Sequence, residues 1–359
     1  MSYNKALLGS YIEQIDRRNS RLEYGVEDVM GITNTKVLME TKARPEYADL
    51  SKFYILEPQE FIYNPRTSRN GEKVGMAYND TDHNILFTFN NIPFRIKTEC
   101  RDILDSNYLY LYFLNPEFDR YARYNSWGSA TELFPWEEMC RITIPVPPIS
   151  EQRKIVHDYQ VITDRIELLQ KINENLDNLV LSLFEKTIES STDVCTIASI
   201  GEFVRGSNIT SEEMNPGAYD VISAGISPSG KHDTYNVTSP SITISGSGVN
   251  AGYVAYHFDN IWAADCSYNN DSDTPIFLFY SLKKLSKKIE TLKDGNSAQP
   301  HVYAKDINAL NTIAVSLEKR IEFEQVAKQF FNQISVNLAE IKALERFRIA
   351  VVAWSIKGA

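Results

Sequence analysis

The sequence predicts an α+β fold in which two globular α/β domains alternate with two long helices as a tandem repeat. Two stretches carry apolar residues at alternating spacings of three and four, which is the heptad pattern of paired helices. Similar segments precede both stretches, and the helix ends are offset by 170 residues. We therefore divide the chain into a first domain (1–148), a central helix (149–190), a second domain (191–316) and a C-terminal helix (317–359).

The first domain contains short apolar runs that predict strands. Asn-Pro and Asn-Gly pairs at residues 64–65 and 70–71 separate these runs as turns. Residues 105–124 predict a helix that precedes the central one.

The loop at residues 64–73 combines cations with amide and hydroxyl side chains. These are the residue types that contact phosphates and base edges in nucleic-acid complexes. The candidate contact residues are Asn64, Arg66, Thr67, Ser68, Arg69, Asn70 and Lys73. A solvated hairpin turn explains the same composition, and the loop by itself does not decide between them.

The central helix follows a proline-rich entry. Pro145, Pro147 and Pro148 prevent a helix from starting earlier, and Ser150 is the predicted cap of the first turn. The stripe expected to pack against another helix consists of Ile155, Ile162, Ile166, Leu169, Leu176 and Leu183. Asn173 interrupts the stripe with a polar side chain.

The second domain again alternates predicted strands with turns, and residues 275–289 predict a helix. Its basic cluster comprises Lys283, Lys284, Lys287 and Lys288. This cluster would meet a phosphate backbone or would form a solvated helix face, and both interpretations remain open.

The C-terminal helix supplies the partner that the central helix needs. Its stripe contains Phe330, Ile334, Ile341, Leu344 and Val351. Asn337 interrupts this stripe as Asn173 interrupts the first. The two helices are predicted to pack as an antiparallel coiled coil.

Composition restricts the function classes. Acidic residues outnumber basic ones by 47 to 37, the net charge is −10, and neither globular domain is basic overall. Because DNA-binding proteins that act alone are usually basic, a partner would have to supply positive charge. Four dispersed cysteines predict reduced thiols and no metal site. We find no signal-peptide core and no membrane-spanning run, so we expect a cytoplasmic protein without membrane contact.

The entry to the central helix, Pro147-Pro148-Ile149-Ser150-Glu151-Gln152-Arg153-Lys154-Ile155-Val156, resembles that of the specificity subunits of type I restriction–modification enzymes. The resemblance extends over the whole chain in architecture, but the sharp motif is confined to this entry. In the second copy the motif is reduced to residues 316–321, without the prolines.

The resemblance implies that both globular units are target-recognition domains, each binding half of a split, asymmetric DNA site. It also directs attention to the run from Ile242 to Gly252, where we select Ser245, Ser247 and Asn250 as DNA-binding candidates. The expected partners are double-stranded DNA, two modification (methyltransferase) subunits and, through them, restriction subunits. S-adenosylmethionine, ATP and Mg²⁺ would belong to those partners, and this chain would be non-catalytic with no cofactor.

Two other classes remain as alternatives, a self-contained DNA methyltransferase or nuclease and a coiled-coil scaffold that binds only proteins. Asn91-Ile92-Pro93-Phe94 is close to the Asn-Pro-Pro-Phe motif of adenine methyltransferases but lacks the second residue of that turn. The glycines at residues 246–252 approach a dinucleotide fingerprint, yet a predicted strand follows where that fold requires a helix. A tight turn between strands is the better interpretation of these glycines.

Overall fold

The computed structural model describes residues 5–33, 35–41, 48–67, 73–128, 132–293 and 300–357, with side chains up to Ala353. The chain forms two compact units. The first comprises residues 1–167 and 342–359, and the second comprises residues 168–341. Each unit therefore contains one globular domain and a part of both long helices.

The first unit contains ten strands and four helices within the described residues. The strands are β1 Lys5–Leu7, β2 Ile12–Gln14, β3 Met30–Ile32, β4 Leu38–Glu40, β5 Tyr54–Leu56, β6 Phe61–Tyr63, β7 Met76–Tyr78, β8 Ile85–Phe87, β9 Ile92–Ile96 and β10 Thr143–Pro145. The helices are α1 Ser106–Phe113, α2 Pro116–Tyr124, α3 Trp136–Arg141 and the start of α4 Ile149–Glu189. The main sheet is antiparallel, with the order β2-β9-β6-β7.

Aromatic side chains fill the core between this sheet and α1 and α2. Phe61 of β6 stacks on Phe94 of β9 at 5.1 Å between ring centroids, and Phe113 of α1 meets both rings edge-on. Rings of this size remove large apolar areas from water. They fix which face of the sheet is inside and therefore which loops reach the surface.

The helix predicted at residues 105–124 is two helices in the structure. Pro116 is the first residue of α2, and the side chain of Asn115 accepts a hydrogen bond from Glu117 N at 2.8 Å. Proline cannot donate to the preceding turn, so the chain ends α1 and caps a new helix at this point. The predicted helix at 275–289 is also two helices, divided at Leu285, but without a proline or a side-chain cap at the break.

The entry to α4 is organised by Gln152. Its side chain is fully buried, accepts from Asp105 N at 2.9 Å, and donates to the carbonyls of Ile103 and Pro147 at 2.8 and 2.7 Å. Ser150, the predicted cap, lies inside the helix, which begins at Ile149. The Ser-Glu-Gln motif thus attaches the helix to the first domain through its glutamine.

The second unit repeats this arrangement. Its strands are β11 Val194–Thr196, β12 Val204–Arg205, β13 Tyr219–Ile222, β14 Gly230–His232, β15 Ser241–Ser245, β16 Val254–His257, β17 Ile261–Ala263, β18 Cys266–Asn269 and β19 Asn311–Ile313. Its helices are α5 Pro275–Lys284, α6 Ser286–Thr291, α7 Ala304–Asn308 and the start of α8 Leu317–Lys357.

The main sheet of the second domain has the order β12-β18-β15-β16, again all antiparallel. Position by position it matches β2-β9-β6-β7 of the first domain. A short pair of strands closes each domain, β1 with β10 and β11 with β19. A second sheet, β14-β13-β17, includes a parallel pair and has no counterpart of the same order among the described residues of the first domain.

Carboxylates of both long helices bind the second domain. Glu324 of α8 accepts from Ile276 N and Phe277 N at 3.0–3.1 Å, which caps the otherwise uncapped first turn of α5. Burial raises the pKa of Glu324. Asp177 of α4 accepts from the hydroxyl of Tyr280 at 2.7 Å and from Lys283 Nζ at 2.8 Å.

The two long helices run antiparallel within the second unit. Phe184 lies 6.0 Å from Phe323 between ring centroids. Asn173, earlier in α4, accepts a hydrogen bond at 2.7 Å from Asn337, later in α8. The two interruptions of the heptad stripes are therefore hydrogen-bonded partners. The predicted α+β fold with two long helices is confirmed.

The residues predicted to pack between the helices differ in their burial. Ile155, Ile162, Ile166, Leu169 and Ile341 are buried, whereas the remaining ones are half-buried: Leu176, Leu183, Phe330, Ile334, Leu344 and Val351. Late in α4 the buried positions move to Val180, Phe184 and Ile188. An α-helix has 3.6 residues per turn, so a strict seven-residue stripe drifts by about 20° per heptad. The seven-residue rule therefore missed Phe184 and Ile188.

No helix in the described part of the chain is both long enough and apolar enough to span a membrane.

Candidate nucleic-acid interface

A backbone-paired edge lies at the end of β6 in the first domain. Thr67 N donates to Glu132 O at 3.1 Å, and Phe134 N donates to Pro65 O at 2.7 Å, so that Arg66 pairs with Leu133. We call residues 65–67 and 132–134 the first edge. It joins the loop of candidate contact residues to a segment that precedes α3.

The second domain has the same edge at the end of β15. Gly248 N donates to Pro300 O at 3.0 Å, Val302 N donates to Gly246 O at 3.0 Å, and Ser247 pairs with His301. We call residues 246–248 and 300–302 the second edge. The two edges share their hydrogen bonds and their place in matching sheets but not their side chains. A constant backbone frame with variable side chains suits a surface that distinguishes different ligands.

Cationic and aromatic side chains of the first edge and of the segments adjoining it are exposed to solvent. Arg66 and Lys73 are exposed. Trp127, which exchanges two backbone hydrogen bonds with Leu133 at 2.9–3.0 Å, is 65% exposed, and Tyr124 at the end of α2 is 82% exposed. Exposed aromatic groups beside cations mark interaction surfaces, and the two types contact bases and phosphates in DNA complexes.

The second edge is more aromatic and less charged. Val249 is 89% exposed, and Tyr253 and Tyr303 are each nearly half exposed. The ring of His301 stacks on Tyr303 with an interplanar angle of 14°, and Lys305 Nζ lies 5.7 Å from the centre of the same ring. The chemistry offered to a ligand therefore differs between the two domains.

Four of the predicted contact residues already make a hydrogen bond or an ion pair within the chain. Thr67 is fully buried, with its hydroxyl directed at Glu132 O. Ser245 is buried and donates to Ala224 O at 2.7 Å, and Ser247 donates to a carboxylate oxygen of Asp265. Lys283 is bound to Asp177. Thr67 and Ser245 are buried, whereas Ser247 and Lys283 are half-exposed. A DNA contact by any of the four would have to replace or share its existing bond, and such a contact stays a prediction.

Apart from the exposed Arg66 and Lys73, the other candidates fall into three groups. Ser68, Arg69 and Asn70 lie outside the described residues. Asn64 and Asn250 are half-buried turn residues; the side chain of Asn64 accepts from Arg66 N at 2.9 Å. The last three are exposed but belong to α5 and α6 rather than to the second edge: Lys284, Lys287 and Lys288.

Sequence reasoning missed the aromatic part of both edges. Trp127 and Tyr303 carry no motif, and an exposed aromatic residue cannot be told from a core residue without a structure. The sequence offered one weak indication that these segments matter. Trp127-Gly128 and Gly295 belong to the repeated segments that precede the two long helices.

Two ionisable groups in the main sheet of the second domain, His257 and Cys266, are uncharged at neutral pH. Burial lowers the pKa of His257 to about 4, and its Nε2 lies 2.7 Å from Thr243 Oγ1. At neutral pH this imidazole is uncharged and adds nothing to a phosphate-binding field. Burial raises the pKa of Cys266 to about 12, which keeps the thiol protonated and unreactive. Among the described residues, no three His, Cys, Asp or Glu side chains converge as a metal site.

Comparison with known proteins adds a family assignment. The family model described as "Type I restriction modification DNA specificity domain" matches residues 15–178 and again residues 189–346. A solved structure described as the S subunit of a type I restriction-modification system from M. genitalium is similar in fold, with a TM-score of 0.62 and 15% identity. The similarity covers 99% of this chain and 96% of that chain.

The HsdS subunit from Thermoanaerobacter tengcongensis aligns over 99% of this chain and 97% of its own, with 13% identity and a TM-score of 0.39. No curated protein sequence matches the chain.

Proposed function

Because the chain belongs to the type I restriction modification DNA specificity domain family, we propose that it is the subunit that selects the DNA site of a type I restriction–modification complex. Each globular domain binds one half of a bipartite, asymmetric site. The chain itself is non-catalytic. The complex would be a restriction endonuclease and an adenine-N6 DNA methyltransferase.

The observation that carries this proposal is the pair of equivalent edges. Both edges use the same two hydrogen bonds at the end of the same strand of matching sheets, and both expose side chains suited to DNA. Their side chains differ, with Arg66 and Trp127 at the first edge and Val249 and Tyr303 at the second. A split, asymmetric DNA site has two different half-sites. Two edges with the same backbone structure and different side chains are suited to bind them.

The net charge supports dependence on partners. A chain of −10 repels phosphates unless neighbouring proteins neutralise the field. Two modification subunits, to which restriction subunits bind in turn, would supply that charge. They would also hold the S-adenosylmethionine, ATP and Mg²⁺ that the reactions need.

The long helices offer a docking face for such a partner. In the second unit Leu168 and Leu179 of α4 are 50% and 56% exposed. Leu179 is two residues from Asp177, which faces the second domain, so its side chain points to the opposite side of the helix at about 200°. Val326 of α8 is likewise two residues from Glu324 and is exposed. The face turned away from the domain therefore includes exposed apolar side chains, which a docking helix can offer to a partner.

The experiment is a mobility shift with a duplex DNA library, with and without the modification subunit encoded in the same genome. We expect a salt-sensitive shift that requires the modification subunit and enriches a bipartite sequence. No shift under either condition would support a protein-only scaffold. Methyl transfer from labelled S-adenosylmethionine by the isolated chain would support a self-contained enzyme instead.

A further inference from the structure

A buried ion pair lies beneath the candidate DNA-binding loop of the first domain. Lys36 Nζ is 2.6 Å from Asp119 Oδ2, and both side chains are at least nine-tenths buried. Lys36 belongs to the turn between β3 and β4, and Asp119 belongs to the first half of α2. The pair therefore joins two segments that are distant in sequence.

Contacts other than the ion pair also fix the position of Lys36. Its backbone has a positive φ of 67°, which few side-chain-bearing residues adopt. Its carbonyl accepts a hydrogen bond from the hydroxyl of Tyr110 at 3.0 Å. Its ammonium group lies 5.4 Å from the centre of the Phe118 ring. The turn is thus directed into the domain so that the lysine reaches Asp119.

The second oxygen of Asp119 is directed at the candidate loop. Asp119 Oδ1 accepts from Val74 N at 2.9 Å. Val74 is fully buried and directly follows Lys73, the last of the candidate contact residues. The same end of the loop is tied to its beginning, where Asn64 N donates to Gly75 O at 2.8 Å. One carboxylate therefore fixes the point at which the loop returns to the sheet.

Core stability alone does not explain this arrangement. Two charges lose their hydration when they are buried, and an apolar pair of similar volume usually stabilises a core at least as well. An apolar pair, however, cannot accept a hydrogen bond from Val74 N or fix its direction. The buried charge provides directional anchoring, at a place where the anchored segment carries Arg66 and Lys73.

We propose that Lys36 and Asp119 are positioning residues for recognition of the first half-site, with Asp119 anchoring the chain at Val74, next to the exposed Lys73, and Lys36 orienting Asp119. This inference rests on the proposed function. Neither residue touches DNA, and both act through the position of Lys73. In the second domain the position that corresponds to Val74 is Gly252, whose N donates to the backbone at Ser245 O at 2.8 Å, so the second half-site does not depend on the pair.

The test compares two double variants that both remove the buried charges. Lys36→Gln with Asp119→Asn keeps an amide–amide hydrogen bond and an acceptor for Val74 N. Lys36→Met with Asp119→Leu fills the same space and removes that acceptor. Each variant is assembled with the modification subunit, its folding is checked by thermal unfolding, and its methylated motif is sequenced.

We expect the amide pair to keep the wild-type motif. The apolar pair should lose about tenfold or more of its discrimination at the first half-site, the range of one lost base contact, and should keep the second half-site unchanged. If the apolar pair does not fold, Lys36→Met with Asp119→Ala takes its place. We expect the same loss at the first half-site and the same unchanged second half-site from this variant.

An apolar variant that folds and keeps the first half-site would overturn the inference, and so would equal loss at both half-sites. If the wild-type complex itself methylated no bipartite motif, the proposed function would fail, which is a separate result from failure of the anchor.

Discussion

Two adjacent residues of the first edge differ in their exposure to solvent. Arg66 is exposed, whereas Thr67 is buried against Glu132. Extended backbone alternates its side chains between two faces, so one of two neighbouring polar residues can face the ligand while the other faces the core. The sequence identifies the loop and its polar residues but not this alternation, because the partner segment lies 65 residues away.

Arg66 is therefore the residue of the first edge whose substitution we expect to reduce DNA binding most. We expect Arg66→Ala to weaken DNA binding by the assembled complex. A bidentate guanine contact would cost about 1–3 kcal/mol and relax one base position, whereas a phosphate contact would mainly reduce the salt dependence. Titration of duplex DNA at several salt concentrations measures both effects.

Arg21→Ala is the matched control for this measurement, since Arg21 is an exposed cation of the same domain that lies outside the first edge. Equal losses for the two variants would show a general charge effect and would contradict a specific role for Arg66.

The asparagines of the two heptad stripes form a polar layer in which Asn337 is buried and Asn173 is half-buried. Asn337 is 3% exposed; it donates to Asn173 at 2.7 Å and accepts from Gln333 at 2.8 Å. We expect Asn173→Leu to destabilise the chain by about 1–3 kcal/mol, because the Asn337 amide then loses its acceptor in the interior. Asn173→Leu with Asn337→Leu should recover most of that loss, since both polar groups are gone.

Denaturant unfolding of the two variants tests this layer, with the exposed Asn175→Leu as control. A double variant that is as unstable as Asn173→Leu would mean that packing, rather than the unpaired amide, causes the loss.

At the scale of elements, the helices were the most predictable part. Prolines at residues 145–148 and heptad spacing locate α4 to within a residue of its start at Ile149. The strands are only two to five residues long, so an apolar run suggests that a strand exists but does not select its partner. The parallel pairing of β13 with β17, for example, depends on contacts between residues 219–222 and 261–263 that no local pattern encodes.

The helices also permit a test of whether they set the separation of the half-sites. Four residues inserted after Gln170 and after Ala339 lengthen each helix by about 6 Å and rotate it by about 40°. Two base pairs advance about 7 Å and twist by about 70°, so the angular mismatch is about 30°. We expect both half-sites to be kept and the spacer to grow by one or two base pairs.

Matched insertions of seven residues serve as the control. They rotate each helix by about −20°, whereas three base pairs twist by about 100°, so modification should be largely lost. An unchanged spacer in the four-residue variant, determined from the methylated motif, would show that the helices do not set this distance.

At the scale of the whole molecule, repetition is the feature that sequence and structure share. The chain contains two matching sheets, two edges and two long helices, and its family model matches twice. The repeat of the helices is visible in the sequence because heptads tolerate few residue types. The repeat of the edges is not visible in the sequence. Backbone hydrogen bonds such as those of Thr67 and Gly248 place little constraint on the side chain.

The central claim is that each domain specifies its own half of the DNA site. The most direct measurement replaces residues 1–148 with the corresponding domain of another family member, co-expresses the hybrid with the modification subunit, and sequences the methylated adenines of the host genome. We predict that one half-site changes while the other half-site and the spacer stay as in the wild type. A change in both half-sites, or in neither, would contradict the claim.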